Sequence, residues 1–233
     1  MSLFALIHGG AHGGWCWELV TPELSRRGHR VVAPDLPFEQ EDAGAAEWAR
    51  TVIAAIDSAV SPDDDDVVVV GHSLAGLAVP VVASWRPIRR MVYLAAQVPV
   101  PGERYVDYLA TQPDAVIFDG TPRPDDELPS AGGVSWRAAR EGFYQDLDEG
   151  AARRAWERLR PQGMTVFTEV CPIETWPDTP STYILMRDDR AVGPDWSRRV
   201  TRERLGSEPI ELDGGHSPFY AQPARLAEIL ADL

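Results

Sequence analysis

The sequence contains no lysine and no asparagine, and each absence removes a kind of chemistry from its 233 residues. Without lysine there is no amine for a Schiff base and no P-loop lysine to bind nucleotide phosphates. Without asparagine there is no acceptor for N-glycosylation and no Cys-His-Asn catalytic site. All 22 basic residues are therefore arginines.

Cysteine is almost as scarce, since only Cys16 and Cys171 occur. Two cysteines cannot build a disulfide framework or a thiolate zinc site, and so few in a chain of this length are typical of a reducing compartment. The N-terminal apolar run lacks a basic segment and ends at His8, too early for a signal peptide or a membrane span. We therefore expect a cytoplasmic protein that does not enter a membrane.

Positive charge is also deficient, because 36 acidic residues against 22 basic ones leave a net charge of -14. Such a charge repels phosphate backbones and anionic lipid surfaces, so nucleic acid is not an expected partner.

Hydrophobic residues make up 44% of the chain and charged residues 25%, close to the average of globular domains. The length fits one domain with a sizeable core.

Short apolar runs alternate with segments of helical spacing along the chain. This alternation predicts βαβ units and a doubly wound, mostly parallel sheet with helices on both faces. The predicted strands are residues 3–7, 31–33, 67–70, 91–95, 181–186 and 208–212. The predicted helices are residues 17–27, 45–60, 74–85, 196–205 and 221–233.

The alternation breaks between residues 98 and 179, where prolines and acidic clusters replace buried strands. Two helical patterns occur there, at 135–147 and 150–159. Roughly eighty residues without strands inside a compact α/β domain predict a lid over a site. We therefore expect a core of residues 1–97 and 180–233 and an inserted helical cap of residues 98–179. A linker or a peripheral helical decoration is the alternative.

The most informative segment runs from four valines at 67–70 through Gly71 to Ser73 and into a helical pattern. A serine in a sharp turn from strand to helix, with small residues two positions away on each side, is typical of a nucleophile elbow. Gly71 and Ala75 hold these positions, so the pattern G-x-S-x-G ends in alanine, and Gly76 follows. The alternative is a serine that caps a helix. We predict that Ser73 is a catalytic nucleophile.

A serine hydroxyl attacks a carbonyl only when a base removes its proton, and a carboxylate must orient that base. His216 follows a predicted strand in a loop with two glycines, which let the imidazole bend over the edge of the sheet. Asp188 and Asp189 follow the strand at 181–186 and lie between the serine and the histidine in the chain. We select Asp189, which lies nearer the loop that must meet His216. Asp188 is the alternative.

Ester cleavage also needs two N–H donors for the oxygen that becomes negative in the tetrahedral intermediate. The residue after the nucleophile and the loop after the first strand supply them, which predicts an oxyanion hole of Leu74 and Gly10. A glycine-rich loop can also bind phosphate, but the order G-x-G-x-x-G is absent. His8 and His12 are spaced like a metal pair, yet glycines between them disfavour a helix and no glutamate accompanies them. We predict neither a metal nor a cofactor.

These motifs carry a family resemblance that runs nearly from end to end of the chain. They are LIHGGAHGGWCW at residues 6–17, GHRVVAPDL at 28–36, GHSLAG at 71–76, DRA at 189–191 and GGH at 214–216. With them the sequence resembles the α/β-hydrolase superfamily, within it the branch of small plant methylesterases and hydroxynitrile lyases with bacterial esterase relatives. The resemblance implies an α/β-hydrolase fold, a triad of Ser73, His216 and Asp189, an oxyanion hole of Gly10 and Leu74, and a helical cap that shapes the pocket.

The hydroxynitrile lyases of this branch differ from the present sequence at three positions. They carry a threonine in the first loop, a glutamate before the serine and a lysine after the histidine, where this sequence has Gly9, His72 and Ser217. The resemblance therefore favours hydrolysis over cyanohydrin cleavage. Ser73 also excludes the carboxylate nucleophile of haloalkane dehalogenases.

We predict a serine hydrolase that cleaves a small carboxylic ester through an acyl-enzyme intermediate. The alternatives are cleavage of a thioester, a lactone or a carbon-carbon bond by the same triad, or a homologue that binds a ligand without catalysis. Trp15, Phe143, Trp176 and Phe219 are predicted to line the substrate pocket. The sequence leaves a monomer and a homodimer both open.

Overall fold

A computed structural model describes residues 1–61 and 63–233 and contains the parallel sheet that the sequence predicts. The strand order is β2-β1-β3-β4-β5-β6, and each neighbouring pair is parallel. The strands are β1 Leu3–Ile7, β2 Arg30–Val32, β3 Val67–His72, β4 Arg90–Leu94, β5 Ser181–Met186 and β6 Ile210–Leu212.

The helices follow the strands in alternation. The α-helices are α1 Val20–Arg26, α2 Ala45–Ala59, α3 Val79–Trp85, α4 Tyr105–Thr111, α5 Trp136–Gly142, α6 Glu149–Trp156, α7 Thr165–Thr168, α8 Pro194–Arg204, α9 Pro218–Ala221 and α10 Pro223–Ala231, and Gly14–Trp17 and Ser73–Leu77 are 3₁₀ helices. Within residues 1–61 and 63–233, no helix combines the length and the apolar character that crossing a membrane requires.

Helices cover both faces of the sheet, and successive side chains of a strand point to opposite faces. Ala5 and Val69 pack in one cluster with residues of α2, α3 and α8. Their neighbours Phe4 and Val68 pack in a second cluster with residues of α1 and α10. The predicted doubly wound sheet is therefore confirmed. Strand β1 is buried on both faces and is a continuous apolar run, whereas the edge strand β2 is partly exposed.

Two predicted helices begin later in the structure because a 3₁₀ turn precedes each of them. The helix expected from residue 17 begins at Val20, after the turn Gly14–Trp17. The helix expected from residue 74 begins at Val79, after the turn Ser73–Leu77. Both turns lie in loops at the same edge of the sheet, where the chain leaves a strand.

Other predicted boundaries of the sheet and its helices differ from the structure by one or two residues. The strand expected to reach residue 95 ends at Leu94, because Ala95 has a φ of 46°, a left-handed conformation that strands do not adopt. The edge strands are short: β2 ends at Val32 instead of residue 33, and β6 begins at Ile210 instead of residue 208. The last helix, α10, begins at Pro223, after the separate turn α9.

Residues 98–179 connect β4 to β5 and contain four helices, two more than predicted. Side-chain capping fixes where the two predicted helices begin. The side chain of Ser135 accepts a hydrogen bond from the N–H of Ala138, and that of Asp148 accepts one from the N–H of Ala151. The first of them ends at Gly142 instead of residue 147. Helices α4 and α7 have only seven and four residues, too few for a helical pattern to be recognised.

Gly76 lies where the turn after β3 passes the chain that follows β4. A Cβ atom at Gly76 would collide with the carbonyl oxygen of Gln97, which cannot move aside as a flexible side chain would. We expect Gly76→Ala to lower the free energy of unfolding by about 1–3 kcal/mol, as over-packing does. Urea denaturation measures this change.

Gly150→Ala is the matched control, because a Cβ atom there would meet only flexible atoms of Arg154 and Asp148, each at 3.3 Å. Gly150 lies in α6, where alanine is favoured over glycine by about 0.5–1 kcal/mol. This variant should keep or gain stability, and an equal loss in both variants would contradict the packing argument.

Candidate active site

The loops that follow four strands meet at one edge of the sheet, because all the strands run in the same direction. Gly10 follows β1, Ser73 follows β3, Asp189 follows β5 and His216 follows β6. In parallel sheets this carboxyl edge is where ligands bind. The fold therefore brings the loops with the predicted catalytic residues to one side of the molecule.

Ser73 occupies a strained turn with a φ of 53°, in the left-handed region that side chains other than glycine rarely adopt. The loop after β1 packs against this turn, and a Cβ atom at Gly9 would lie 2.8 Å from the Ser73 Cβ and 2.7 Å from the His72 Nδ1. A Cβ atom at Gly71 would collide with the side chain of Val79. The turn therefore requires glycine at position 71 and, in the neighbouring loop, at position 9.

His216 and Asp189 form a buried pair. The Nδ1 of His216 lies 2.9 Å from the Oδ2 of Asp189, and both side chains are buried. Because the carboxylate can only accept, Nδ1 carries a proton, and in the neutral form of the ring the lone pair lies on Nε2. The other carboxylate oxygen of Asp189 accepts the N–H groups of Ala191 at 2.7 Å and Val192 at 3.0 Å. The imidazole is thus held in the tautomer that a general base needs.

Asp188, the alternative carboxylate, supports the backbone of the histidine loop. Its Oδ2 accepts a hydrogen bond from the N–H of Gly214 at 3.1 Å, and its backbone carbonyl accepts one from the Nε2 of Gln145 at 2.8 Å. The Oδ2 of Asp146 accepts the N–H of Gly215 at 2.7 Å. Gln145 and Asp146 belong to residues 98–179, so this segment helps to fix the loop that carries His216.

Ser73 and His216 share no hydrogen bond within the part of the chain that the structure describes. They are linked through His72, whose Nε2 donates to the carbonyl oxygen of His216 at 2.9 Å. The ring centroids of His72 and His216 lie 4.6 Å apart. The structure thus joins His216 directly to Asp189, and joins it to the serine turn through the neighbouring residue.

The two predicted oxyanion donors lie at the same cavity as Ser73. Within residues 1–61 and 63–233, the N–H groups of Gly10 and Leu74 donate to no other group. Backbone N–H groups inside a protein are nearly always paired, so two unpaired donors beside a serine are a notable arrangement. They are of the kind that stabilises a developing negative charge on oxygen.

The cavity beside Ser73 has a volume of about 240 Å³, and apolar side chains dominate its wall. Its lining residues are Gly10, Ala11, Ser73, Leu74, Gln97, Val116, Phe118, Val134, Phe143, Gln162, Met164, Phe167, Ala191 and Val192. Half of them come from residues 98–179. None of these lining residues is charged, so the site suits an uncharged ligand.

Of the four residues predicted for the pocket wall, Phe143 lines this cavity. Its ring also lies 5.6 Å from the ring of His216, so it connects the cavity to the His216 and Asp189 pair. The other three are not among the lining residues and pack elsewhere. Between ring centroids, Trp15 lies 5.5 Å from His12, Trp176 lies 6.4 Å from Tyr93, and Phe219 lies 4.9 Å from His72.

Two buried histidines of the first loop have structural partners that the sequence does not reveal. The Nε2 of His8 accepts the N–H of Leu36 at 2.9 Å, so its Nδ1 carries the proton and donates to the carbonyl of Gly9 at 3.0 Å. The Nδ1 of His12 donates to the carbonyl of Gly10 at 2.7 Å. The only sequence signal for these contacts is the position of both histidines beside the glycines.

Burial keeps these side chains neutral, because charge is costly away from water. Desolvation lowers the pKa of His8 from 6.5 to about 4 and the pKa of His12 to about 3. Burial, with the neighbouring His216 and His12, also lowers the pKa of His72 well below its ordinary value. The phenol of Tyr144 lies 2.8 Å from the Nε2 of His12 and donates to it. All three imidazoles act as fixed neutral hydrogen-bonding groups near neutral pH.

Comparison with known proteins places the chain in a family. The sequence profile described as "Alpha/beta hydrolase family" matches residues 4–229, and the chain belongs to this family. A pyrethroid hydrolase from Sphingobium wenxiniae is 29% identical over 97% of this chain and 85% of its own length. Methylesterase 7 from Arabidopsis thaliana is 25% identical over 99% of this chain and 95% of its own length.

Solved structures agree with these relatives. A methylesterase protein from Arabidopsis, MES16, superposes with a TM-score of 0.77 at 23% identity, over 100% of this chain and 98% of its own. The pyrethroid hydrolase PytH superposes with a TM-score of 0.74 at 26% identity, over 99% of this chain and 96% of its own. The predicted fold and the resemblance to a plant methylesterase branch with bacterial relatives are confirmed. Hydrolase and esterase names recur among these relatives, in agreement with the predicted class of carboxylic ester hydrolase.

The buried neutral histidines predict a loss of stability in acid. Their pKa values are lower in the folded chain than the unfolded value of 6.5, so below pH 6.5 the unfolded chain binds more protons. Stability should be fully present above pH 6.5 and fall as the pH decreases towards 4, by up to about 1.4 kcal/mol per pH unit for each histidine. Urea denaturation between pH 7.5 and pH 5 measures this slope.

Carboxylates with lowered pKa values titrate below this pH range, whereas burial raises the pKa of Glu169, which contributes a slope of the opposite sign. His12→Gln removes one of the three groups and should flatten the slope. An unfolding free energy that stays constant between pH 6.5 and pH 5 in the wild type would contradict the assignment.

Proposed function

We propose that this chain is a serine esterase that cleaves a small carboxylic ester through an acyl-enzyme intermediate on Ser73. The observation that carries the proposal is that this serine, in its left-handed turn, shares one cavity with two unpaired N–H groups. The adjoining pair of His216 and Asp189 supports it, since the tautomer of this imidazole suits a general base. The names of the relatives, which include methylesterases and a pyrethroid hydrolase, support it further.

The wall of the cavity favours an uncharged substrate. Burying a charged group without a partner costs several kcal/mol, and no charged side chain belongs to the lining residues. Phe118, Phe143 and Phe167 offer flat apolar surfaces that suit an aryl or alkyl group of the ester. We therefore propose a neutral and mainly apolar carboxylic ester as the substrate.

Residues 98–179 are proposed to act as the cap of this site. They supply half of the cavity lining and also contact the loop of His216 through Gln145 and Asp146. The proposed core, residues 1–97 and 180–233, supplies the nucleophile, the base, the carboxylate and both oxyanion donors. In this division the core performs the chemistry and the cap selects the ester.

In the first half of the proposed reaction, the Oγ of Ser73 attacks the carbonyl carbon while the Nε2 of His216 removes the hydroxyl proton. Catalytic hydrogen bonds are often long before substrate binds, and the proposal includes closure of the contact between Ser73 and His216 at this step. Asp189 stabilises the imidazolium, and the N–H groups of Gly10 and Leu74 stabilise the oxyanion. The bond to the alcohol then breaks, and His216 returns its proton to the departing oxygen.

In the second half, water replaces the alcohol. His216 removes a proton from water, whose oxygen attacks the acyl carbon, and the same two N–H groups stabilise the second oxyanion. The bond between the acyl group and Ser73 breaks, the serine regains its proton, and the acid leaves. These steps balance without an oxidant, a reductant or a cofactor.

Ser73→Ala tests the nucleophile. The variant should lose about 10⁴-fold or more of the hydrolysis of a small uncharged aryl acetate, because no other group can form the acyl-enzyme. It should also fail to react with a fluorophosphonate probe, which mass spectrometry detects as a covalent adduct. Ser58→Ala, at an exposed position of α2, is the matched control and should keep both activities. Equal hydrolysis and labelling in Ser73→Ala and wild type would refute the proposal.

A second pair of variants tests the carboxylate. Asp189→Asn should lower kcat by about 10²- to 10⁴-fold, because the amide no longer stabilises the imidazolium and favours the wrong tautomer. Asp188→Asn keeps an acceptor oxygen for the N–H of Gly214 and should lower kcat by less than about tenfold. Steady-state kinetics with the same aryl acetate measures both values. A larger loss in Asp188→Asn than in Asp189→Asn would reverse the assignment.

A further inference from the structure

A short segment of the proposed cap binds the loop that carries the Gly10 donor. Ala11 follows Gly10 and has a φ of 60°, a strained conformation for a residue with a side chain. Its N–H donates to the Oε1 of Gln162 at 3.1 Å, and its carbonyl accepts the N–H of Arg160 at 2.7 Å. Both backbone polar groups of Ala11 are therefore hydrogen-bonded to one short segment, residues 160–162.

The side chain of Arg160 extends this contact to the next residue. Its Nε and Nη2 donate to the carbonyl of His12 at 3.1 and 3.0 Å, and Nη2 also reaches the carbonyl of Leu36 at 3.3 Å. The guanidinium thus ties the first loop to the loop after β2. Arginine suits this task because it presents several donors in one rigid plane.

Buried histidines bind the preceding carbonyl groups of the same loop. The carbonyl of Gly9 accepts the Nδ1–H of His8 at 3.0 Å and the backbone N–H of His12 at 3.3 Å. The carbonyl of Gly10 accepts the Nδ1–H of His12. The N–H of Gly10 has no partner of its own within the described residues. Its direction is therefore set by the bonds that its neighbours make.

We propose that Gln162 is a positioning residue for the oxyanion hole. Its amide oxygen holds the N–H of Ala11, keeps that residue in its left-handed conformation, and so fixes the direction of the N–H of Gly10. This inference rests on the proposed esterase function. A glutamine suits the position because its oxygen accepts a hydrogen bond without placing a negative charge beside an oxygen that is itself becoming negative.

The geometry also explains why the contact is specific. The backbone N–H of Ala11 can only donate, so the amide of Gln162 must present its oxygen to it. A Cβ atom at Gly10 would collide with this oxygen, so the amide lies directly against the proposed donor residue. The amide oxygen and the catalytic cavity are adjacent, since Gly10, Ala11 and Gln162 all line it.

Gln162→Met tests the proposal, because methionine has a similar length but no strong acceptor. We expect kcat for the aryl acetate to fall by about three- to tenfold with little change in KM, the size expected for one lost hydrogen bond. This loss is smaller than the loss of about 10²- to 10³-fold expected on removing a donor itself. The affinity for an arylboronic acid, whose tetrahedral serine adduct places an oxygen in the hole, should fall in parallel.

Gln162→Glu provides a second readout that a purely structural role would not change. The carboxylate keeps an acceptor for Ala11 but adds a negative charge beside the hole. Its kcat relative to wild type should therefore decrease as the pH rises through the titration of the new carboxyl group, whereas the deficit of Gln162→Met should be independent of pH. Gln40→Met, at an exposed glutamine, is the matched control and should behave as wild type.

The outcomes are distinct. Unchanged kcat and boronate affinity in a folded Gln162→Met variant would overturn the proposal, as would a rise in KM with kcat unchanged, which would mark Gln162 as a ground-state binding residue. Should Gln162→Met fail to fold by circular dichroism, Gln162→Glu decides by its pH profile. A wild type that neither hydrolyses the ester nor reacts with the fluorophosphonate would overturn both the esterase function and this inference. An active wild type whose Gln162 variants are unaffected would overturn this inference alone.

Discussion

The site depends on the close approach of two backbone turns, the loop after β1 and the turn at Ser73. A Cβ atom at Gly9 would lie 2.8 Å from the Ser73 Cβ, so the approach exists only because that position lacks a side chain. It brings the N–H of Gly10 to the cavity of the serine, where the N–H of Leu74 also lies. Each turn contains a residue other than glycine at positive φ, Ala11 in the first and Ser73 in the second. Such strain persists only where the surrounding contacts determine the conformation.

Those surrounding contacts are polar, buried and satisfied. His8 and His12 each hold a carbonyl of the first loop through a fixed Nδ1–H, and their lowered pKa values keep both rings neutral. Asp189 is satisfied by three donors, one of which is His216. The same burial that makes these groups rigid would make an unpaired one costly. These hydrogen bonds therefore fix the carbonyl groups of the first loop and the carboxylate of Asp189.

Residues 98–179 contribute differently from the core. They form a small apolar cluster of their own, which includes Tyr144 and Trp156 and reaches Ala11 and Ala191 of the core loops. Polar contacts from the same segment reach the first loop and the histidine loop. In the proposed esterase, substrate selection and the positioning of catalytic groups are thus connected, because one insertion contributes to both. The short lengths of its helices leave this segment dependent on the core for its stability.

From the sequence alone we could predict the parallel sheet, the turn at Ser73 and the loops of Gly10, Asp189 and His216, because apolar runs, small residues and strand ends act locally. It did not determine which aromatic side chains line the cavity, since Phe143 does and Trp15, Trp176 and Phe219 do not. Nor did it reveal that Gln162 would meet Ala11, 151 positions away. Such contacts depend on how residues 98–179 pack on the rest of the chain, and the free energy of that packing is shared among many residues distant in sequence. They can be identified only once the chain is folded.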